Sequence, residues 1–217
     1  EQEGMLYAFG FYEDVKRAEV YEDKTERRLE EIMECFRPDL IHCFGTEYPH
    51  TLAAVKAFGR KDRTLIGIQG LCSIYAGHFR ADLPDQVWKR ITFRDRINYV
   101  QRGVFEIEAL QRTGHVTGRT KWDRKYTGEW NPAAVYHFMN ETLRSNFYEG
   151  CWKEESCRKY SVFLSQGDYP IKGLHYMLKA MPEILREYPE TEIYVAGNSI
   201  IKSATEKGIN GLKGRLK

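Results

Sequence analysis

The chain has no surplus of charge of either sign. Lys and Arg number 33 against 31 Asp and Glu, for a formal net charge of +2, so there is no electrostatic case for nucleic acid as a partner. Long apolar runs are missing too: none approaches the roughly 20 residues that span a bilayer, and no signal peptide opens the chain. Cysteine is scarce and irregular. Five residues, an odd number without regular spacing, argue against a disulfide framework and for reduced thiols in a cytoplasmic protein. Cys151 and Cys157 would bridge only under oxidation, and Cys72 has no base partner to make it a nucleophile. There is no G-x-G-x-x-G, no Walker loop, no Asp-x-Asp pair and no internal repeat. His42, Cys43, Glu47 and His50 lie close in sequence, but neither a His-Glu-x-x-His helix nor a Cys-x2-Cys pair is present, so no metal site is expected.

What is present suits a layered α/β protein. A length of 217 residues fits one large or two small α/β domains. Tyrosine is the commonest aromatic, with 14 residues. Tyr and Trp join an apolar wall to a polar handle, which suits sugar binding, although a place in the core is the simpler account of any single one. The chain lacks an initiator Met and ends in a Gly-, Lys- and Arg-rich run with no packing face. These features read as an internal fragment, most of one domain followed by the start of another.

The stretch Val162–Asn198 organises the rest. It reads as strand (Val162 to Leu164), glycine-containing loop, helix and strand (Ile193 to Ala196). Leu174, Met177, Leu178, Met181, Leu185 and Tyr188 fall on roughly one helical face. Such a βαβ unit presents a helix N-terminus at the carboxyl end of a strand, where backbone N–H groups and the helix dipole favour a phosphate. Lys172 adds a mobile cation there. Pro182 sits inside the helical pattern and removes a hydrogen bond at a cost of roughly 3 kcal/mol, which predicts a kink or two short helices joined at Met181.

Upstream, Met5 to Phe11 is expected as a short strand and Lys24 to Phe36 as an amphipathic helix, with Asp23 and Glu26 as a capping pair. Leu40 to Phe44 reads as a buried strand and Pro49 to Phe58 as a helix with proline in its first turn. Thr46, Glu47, His50 and Thr51 therefore gather where strand passes into helix, the edge at which open α/β sheets collect ligands. Thr64 to Ile68 is the next strand, Cys72 to Pro84 a long surface loop, and Asp95 to Gln111 a helix with Ile97, Val100, Val104, Ile107 and Leu110 apolar. His115 to Thr117 and Val135 to Met139 complete the strands. Arg119 lies near a helix N-terminus, where it either meets a ligand carboxylate or phosphate or pairs with Asp123 as scaffolding. Phe147 to Lys159 reads as a linker.

Over about Pro38 to Ser199 the chain resembles family 4 of the nucleotide-sugar-dependent glycosyltransferases, the group 1 glycosyltransferases. The likeness rests on PDLIHCFG (Pro38–Gly45), on Lys172-Gly173 followed by an apolar helix with Ala180, on Tyr188-Pro189, and on the strand ending VAGN (Val195–Asn198). It implies a GT-B-like α/β protein built on a Rossmann-like parallel sheet flanked by helices. An acceptor-side domain would cover residues 1–146, a linker 147–160, and the start of a donor-side Rossmann-like domain 161–217. It also implies transfer of a sugar from a nucleotide-sugar, such as a UDP- or GDP-sugar, to a hydroxyl of a glycan, glycolipid or small molecule. Transfer would run with retention and without cofactor or metal, in the cytoplasm or at the inner face of the membrane through peripheral contact. Gln166, Gly167, Lys172, Gly173, Gly197 and Asn198 would bind the donor, and Glu47, His50 and Arg119 are the catalytic candidates.

The chain departs from the family pattern at several points. Ser165-Gln166-Gly167 stands where the family has Gly-Arg, Gln69-Gly70 where it has His-Asp, and Asn140-Glu141 where it has Asn-Gly. The family's Glu-x7-Glu pair lies later in the second domain than this chain reaches, so the fragment alone is expected to bind donor weakly and not to turn over. Two other readings stay open: a sugar-nucleotide epimerase of the same fold, and a non-catalytic nucleotide-sugar-binding protein.

Overall fold

The computed structural model describes residues 5–86, 93–167 and 170–197, with the backbone alone for 93–96. The chain divides into two compact units: Glu1–Ala76 with Arg94–Glu141, and Gly77–Phe93 with Thr142–Lys217.

The first unit is a parallel four-stranded sheet in the order β1-β2-β3-β4 (Ile41–Phe44, Thr64–Gly67, His115–Gly118, Val135–Phe138). Helices α1 (Asp23–Phe36), α2 (His50–Phe58), α3 (Cys72–His78), α4 (Phe93–Gln111) and α5 (Lys121–Trp130) flank it, giving a Rossmann-like α/β arrangement. Paired residues of parallel strands point to the same side, so the row Cys43-Ile66-Val116-Tyr136 faces one way along the whole sheet. That side is the core: Ile66, Ile68 and Val116 pack with Leu52 and Val55 of α2 and Ala109 and Leu110 of α4, and Tyr126 and Trp130 of α5 lean on the same cluster. All three crossovers thus cover one face, as four parallel strands in chain order require when every crossover has the same hand. The opposite face carries the row His42-Leu65-His115-Val135 and, beside it, Phe44-Gly67-Thr117-His137. Phe44 there is 63% exposed and Val135 52%.

In the second unit β5 (Ser161–Leu164) pairs in parallel with β6 (Glu192–Val195), and α7 (Leu174–Glu187) connects them. Before β5 the expected linker holds a short helix α6 (Asn146–Glu149) and a 3-10 turn at Glu154–Ser156. No helix among the described residues is long and apolar enough to cross a membrane.

Five sequence expectations are corrected. Residues Met5 to Phe11 are irregular, not a strand. Side chains tie this segment along α1 instead: Tyr7 and Phe9 meet Phe36 edge-on, Arg28 Nε donates to the Gly10 carbonyl at 3.3 Å, and Thr25 Oγ1 donates to the Tyr12 carbonyl at 3.2 Å. The capping pair at α1 is absent, because Glu22 occupies the N-cap without a side-chain bond and Glu26 accepts from Tyr21. The surface loop expected from Cys72 opens as helix α3, and Leu71 and Cys72 are fully buried. The apolar positions Ile97, Val100 and Val104 of α4 are about half exposed, and the helix buries Gly103, Glu106, Ala109 and Leu110. Finally, α7 runs unbroken through Pro182 rather than splitting at Met181.

Candidate functional site

The strand β1 hands over to α2 through Gly45-Thr46-Glu47-Tyr48-Pro49. Gly45 has φ +95°, and a Cβ there would run into the Glu47 carboxylate and lie 3.6 Å from Gln69 Cγ. Only glycine accommodates that left-handed turn with a carboxylate folded over it. Thr51 Oγ1 donates to the Gly45 carbonyl at 2.8 Å and fixes the turn from the helix side.

Around this turn the structure assembles a polar ring. Glu13, from the irregular N-terminal segment, accepts from the His50 backbone N–H at 3.0 Å and from His50 Nδ1 at 2.7 Å. Its carboxylate therefore sits at the N-terminus of α2, where the dipole favours negative charge. The imidazole is left with Nε2 as its proton-accepting atom, the division of labour seen in carboxylate–histidine pairs. Phe11 lies against the His50 ring at 5.4 Å, and Tyr48 stacks on it at 5.8 Å and 7°. Arg102 of α4 donates from Nε to the Glu47 carbonyl at 2.6 Å and from Nη1 to Asn98 at 3.2 Å. Its guanidinium lies 5.1 Å from the Tyr48 ring and 5.0 Å from the Tyr99 ring, within cation–π reach of both.

Beneath the ring lies Glu106, 1% exposed. It accepts from Thr46 Oγ1 at 2.6 Å, Ser73 Oγ at 2.5 Å, and the Cys72 and Ser73 backbone N–H groups at 3.0 and 3.1 Å. The reach depends on Gly103, one turn earlier on α4, where a Cβ would lie 2.6 Å from Ser73 Cα. The close approach of α4 to the start of α3 brings the carboxylate onto the first amides of that helix. Burial pushes the Glu106 carboxyl up from its ordinary value, and the hydrogen bonds from Ser73, Thr46 and Cys72 oppose that rise. Burial likewise pushes the Cys72 thiol up to about 12 and the Cys43 thiol up to about 11.

Glu47 and His50 thus share one turn at the end of β1. Arg119 does not join them: it follows β3, two strands away, or about 10 Å at a strand spacing of about 4.8 Å. Its guanidinium pairs with Glu141 at 2.9 Å. The Arg119 backbone N–H, not its side chain, meets Asp123 at 2.9 Å, and Asp123 forms a capping box with Thr120 at the start of α5. Sequence reasoning missed Glu13, Arg102 and Glu106. Glu13 lies 37 positions from His50, and nothing in local spacing links the two.

In the second unit Gln166, Gly167, Lys172 and Gly173 lie on the loop from the carboxyl end of β5 to α7, and Gly197 follows β6. Asn198 lies outside the described residues. Gly167 is buried, with no room for a Cβ against Val195 and 3.1 Å to Leu174 Cδ2, so the loop backbone is packed down onto the strand and helix. A 3-10 turn, Pro170–Lys172, leads into Gly173, which has φ +82° and stands at the N-cap of α7, with no side-chain cap bond among the described residues. After the buried Leu174, two residues are anchored by their side chains: His175 Nε2 donates to the Ala81 carbonyl at 2.7 Å and Tyr176 Oη donates to Asp82 at 2.5 Å. Ala81 and Asp82 both hold positive φ, 43° and 57°. Lys172 is exposed beside this start of the helix.

Among the described residues no group of three or more His, Cys, Asp or Glu is gathered as if to hold a metal. No family model, no curated protein and no solved structure matches the chain.

Proposed function

We propose that the chain belongs to a nucleotide-sugar-dependent glycosyltransferase of GT-B type, resembling family 4. The observation that carries this reading is the start of α7. At the far end of the loop that leaves a parallel strand, a lysine, a left-handed glycine and a 14-residue helix follow one another. Such a helix start offers outward amides and a positive dipole end to a diphosphate. In the transfer the bond from the anomeric carbon to the diphosphate oxygen breaks and its electron pair leaves with the diphosphate. The acceptor oxygen forms the new bond and gives up its proton. Lys172 and the α7 amides stabilise the departing charge, which is commonly the largest catalytic contribution. Within the first unit, His50 with its Nδ1 held by Glu13 keeps Nε2 as a proton acceptor, the property a general base needs.

The test is nucleoside diphosphate release by the full-length protein from a panel of UDP-, GDP- and ADP-sugars, with acceptors supplied. Release from one donor that falls at least tenfold in Lys172→Ala supports the reading. A Lys172→Ala variant as active as the parent overturns the phosphate site. A second reading, a non-catalytic nucleotide-sugar-binding protein, is favoured by Arg119, whose guanidinium is already matched by Glu141. It requires saturable nucleotide-sugar binding with no diphosphate release from any donor.

A further inference from the structure

The outward face of the first sheet holds a second arrangement, at the other end from the turn after β1. His115 opens β3, and His137 lies diagonally across on β4, opposite Thr117. His115 Nδ1 and His137 Nε2 are 3.1 Å apart, and His115 Nε2 is 3.2 Å from the Asp62 carbonyl. A carbonyl only accepts, so Nε2 of His115 carries the proton and Nδ1 of the neutral ring keeps its lone pair. That lone pair is aimed at the other imidazole.

We propose that His115 and His137 together bind a divalent transition metal, Cu²⁺ in preference to Zn²⁺ or Ni²⁺, with water completing the coordination. Three observations carry this. First, imidazole nitrogen lies about 2.05 Å from such a metal, so an N–N separation of 3.1 Å sets an angle of about 98° at the metal. That value falls between square-planar and tetrahedral geometry; the rings, with centroids 5.3 Å apart and planes at 36°, turn about their side-chain bonds so that both lone pairs converge on the metal. Second, the Asp62 carbonyl fixes the His115 tautomer that exposes Nδ1, the second-shell bond that orients ligating histidines. Third, the pair is accessible: His137 is exposed and His115 half-buried, on a face that leaves room for water ligands. A metal replaces the hydrogen shared between the rings. His137 then carries its proton on Nδ1, so binding to the neutral pair releases none. Two imidazoles select borderline metals over Mg²⁺ or Ca²⁺, and the affinity order of first-row ions places Cu²⁺ first.

The experiment is titration of the chain with Cu²⁺ by calorimetry, together with electron paramagnetic resonance of the one-equivalent complex. The expected spectrum shows two coordinated nitrogens. His115→Ala and His137→Ala each weaken binding at least tenfold. His42→Ala, in the same row as His115 but about 10 Å away across two strand spacings, binds as the parent does. His137 is exposed, so its variant tests the site without disturbing the core, and circular dichroism verifies its fold. A spectrum with fewer than two nitrogens overturns the proposal, as does unchanged affinity in either pair variant or an equal loss in His42→Ala. The measurement uses metal alone, so its outcome is independent of any sugar transfer.

Discussion

The turns that leave β1 and β5 face the same local problem in opposite ways. Each passes a parallel strand into a helix, and each must deal with the unsatisfied N–H groups of that helix's first turn. At α2 the protein answers with its own anion: Glu13 takes the His50 N–H and its ring nitrogen together. At α7 the N-cap is a glycine with no side-chain cap bond among the described residues, and the neighbouring side chain is a cation. The first helix start is already neutralised from within. The second begins at a glycine with a lysine beside it, an arrangement that suits an external phosphate. The contrast also separates the chemistry each turn can offer. The β1 turn presents an oriented imidazole and the β5 turn presents charge.

The largest expected effect lies under the first turn. Glu106→Ala leaves the Cys72 and Ser73 amides and the Thr46 hydroxyl buried without their acceptor, and should cost about 3–5 kcal/mol in chemical denaturation. Glu106→Gln keeps the shape but offers one acceptor oxygen where two were used, and should cost about 1–3 kcal/mol. If both variants unfold at the parent's denaturant midpoint, the network is not what holds α3 against α4.

The second turn should respond through its backbone. Gly173→Ala forces a side chain into φ +82°, at a cost of about 1–2 kcal/mol. The nearest atom to that Cβ would be Tyr176 Cδ2 at 3.6 Å, an ordinary contact, so the loss would be conformational and not steric. Gly167→Ala meets Val195 and Leu174 directly, and should be the worse of the two. Equal melting temperatures for the two variants would mean that Val195 gives way freely.

Glu13→Gln sharpens the comparison by making α2 resemble α7. The neutral amide keeps an acceptor for the His50 N–H but removes the charge from the helix start. The stability loss should be about 0.5–1 kcal/mol at low salt and should shrink as ionic strength rises. A loss insensitive to salt would assign the bond to geometry alone.

How much of this was legible follows from the range of each interaction. The strands were readable because parallel strands are short apolar runs such as Leu40 to Phe44, closed by glycine, but the burial expected of this one was not met: Leu40 is 55% exposed and Phe44 63%. The Lys172-Gly173 turn was readable because all its parts are neighbours in sequence. Glu106 was not, since an acid that alternates with Ile107 and Glu108 between Val104 and Leu110 looks like the solvent side of an amphipathic helix. The half-exposed Ile97, Val100 and Val104 show the stripe pointing the wrong way. What reverses the helix is the contact of Gly103 with Ser73, 30 positions back in the chain, which no periodicity reports. Met5 to Phe11 failed for a related reason. Its aromatics have the composition of a strand, but β1 pairs with β2, and Phe36 of α1 offers the nearer apolar surface.

The smallest effect to measure is chemical and tests burial itself. Cys35, Cys151 and Cys157 are exposed, Cys43 is half-buried and Cys72 buried. Three thiols should therefore react promptly with an alkylating reagent at pH 8 and two should lag. At that pH a free thiol of ordinary pKa is about a quarter thiolate. With the Cys43 thiol pushed up to about 11 and the Cys72 thiol to about 12, their thiolate fractions fall to about one in a thousand and one in ten thousand. The unfolded chain loses these protons first as pH rises. Stability contributed by the two thiols is therefore complete below the ordinary thiol pKa, and it drains away between there and pH 11 for Cys43 or pH 12 for Cys72. Mass spectrometry of the alkylated protein should show three rapid additions at pH 8, then two slow ones whose rates climb steeply with pH, Cys43 ahead of Cys72. Five additions at one rate would mean that the core beneath the β1 turn opens as readily as the surface.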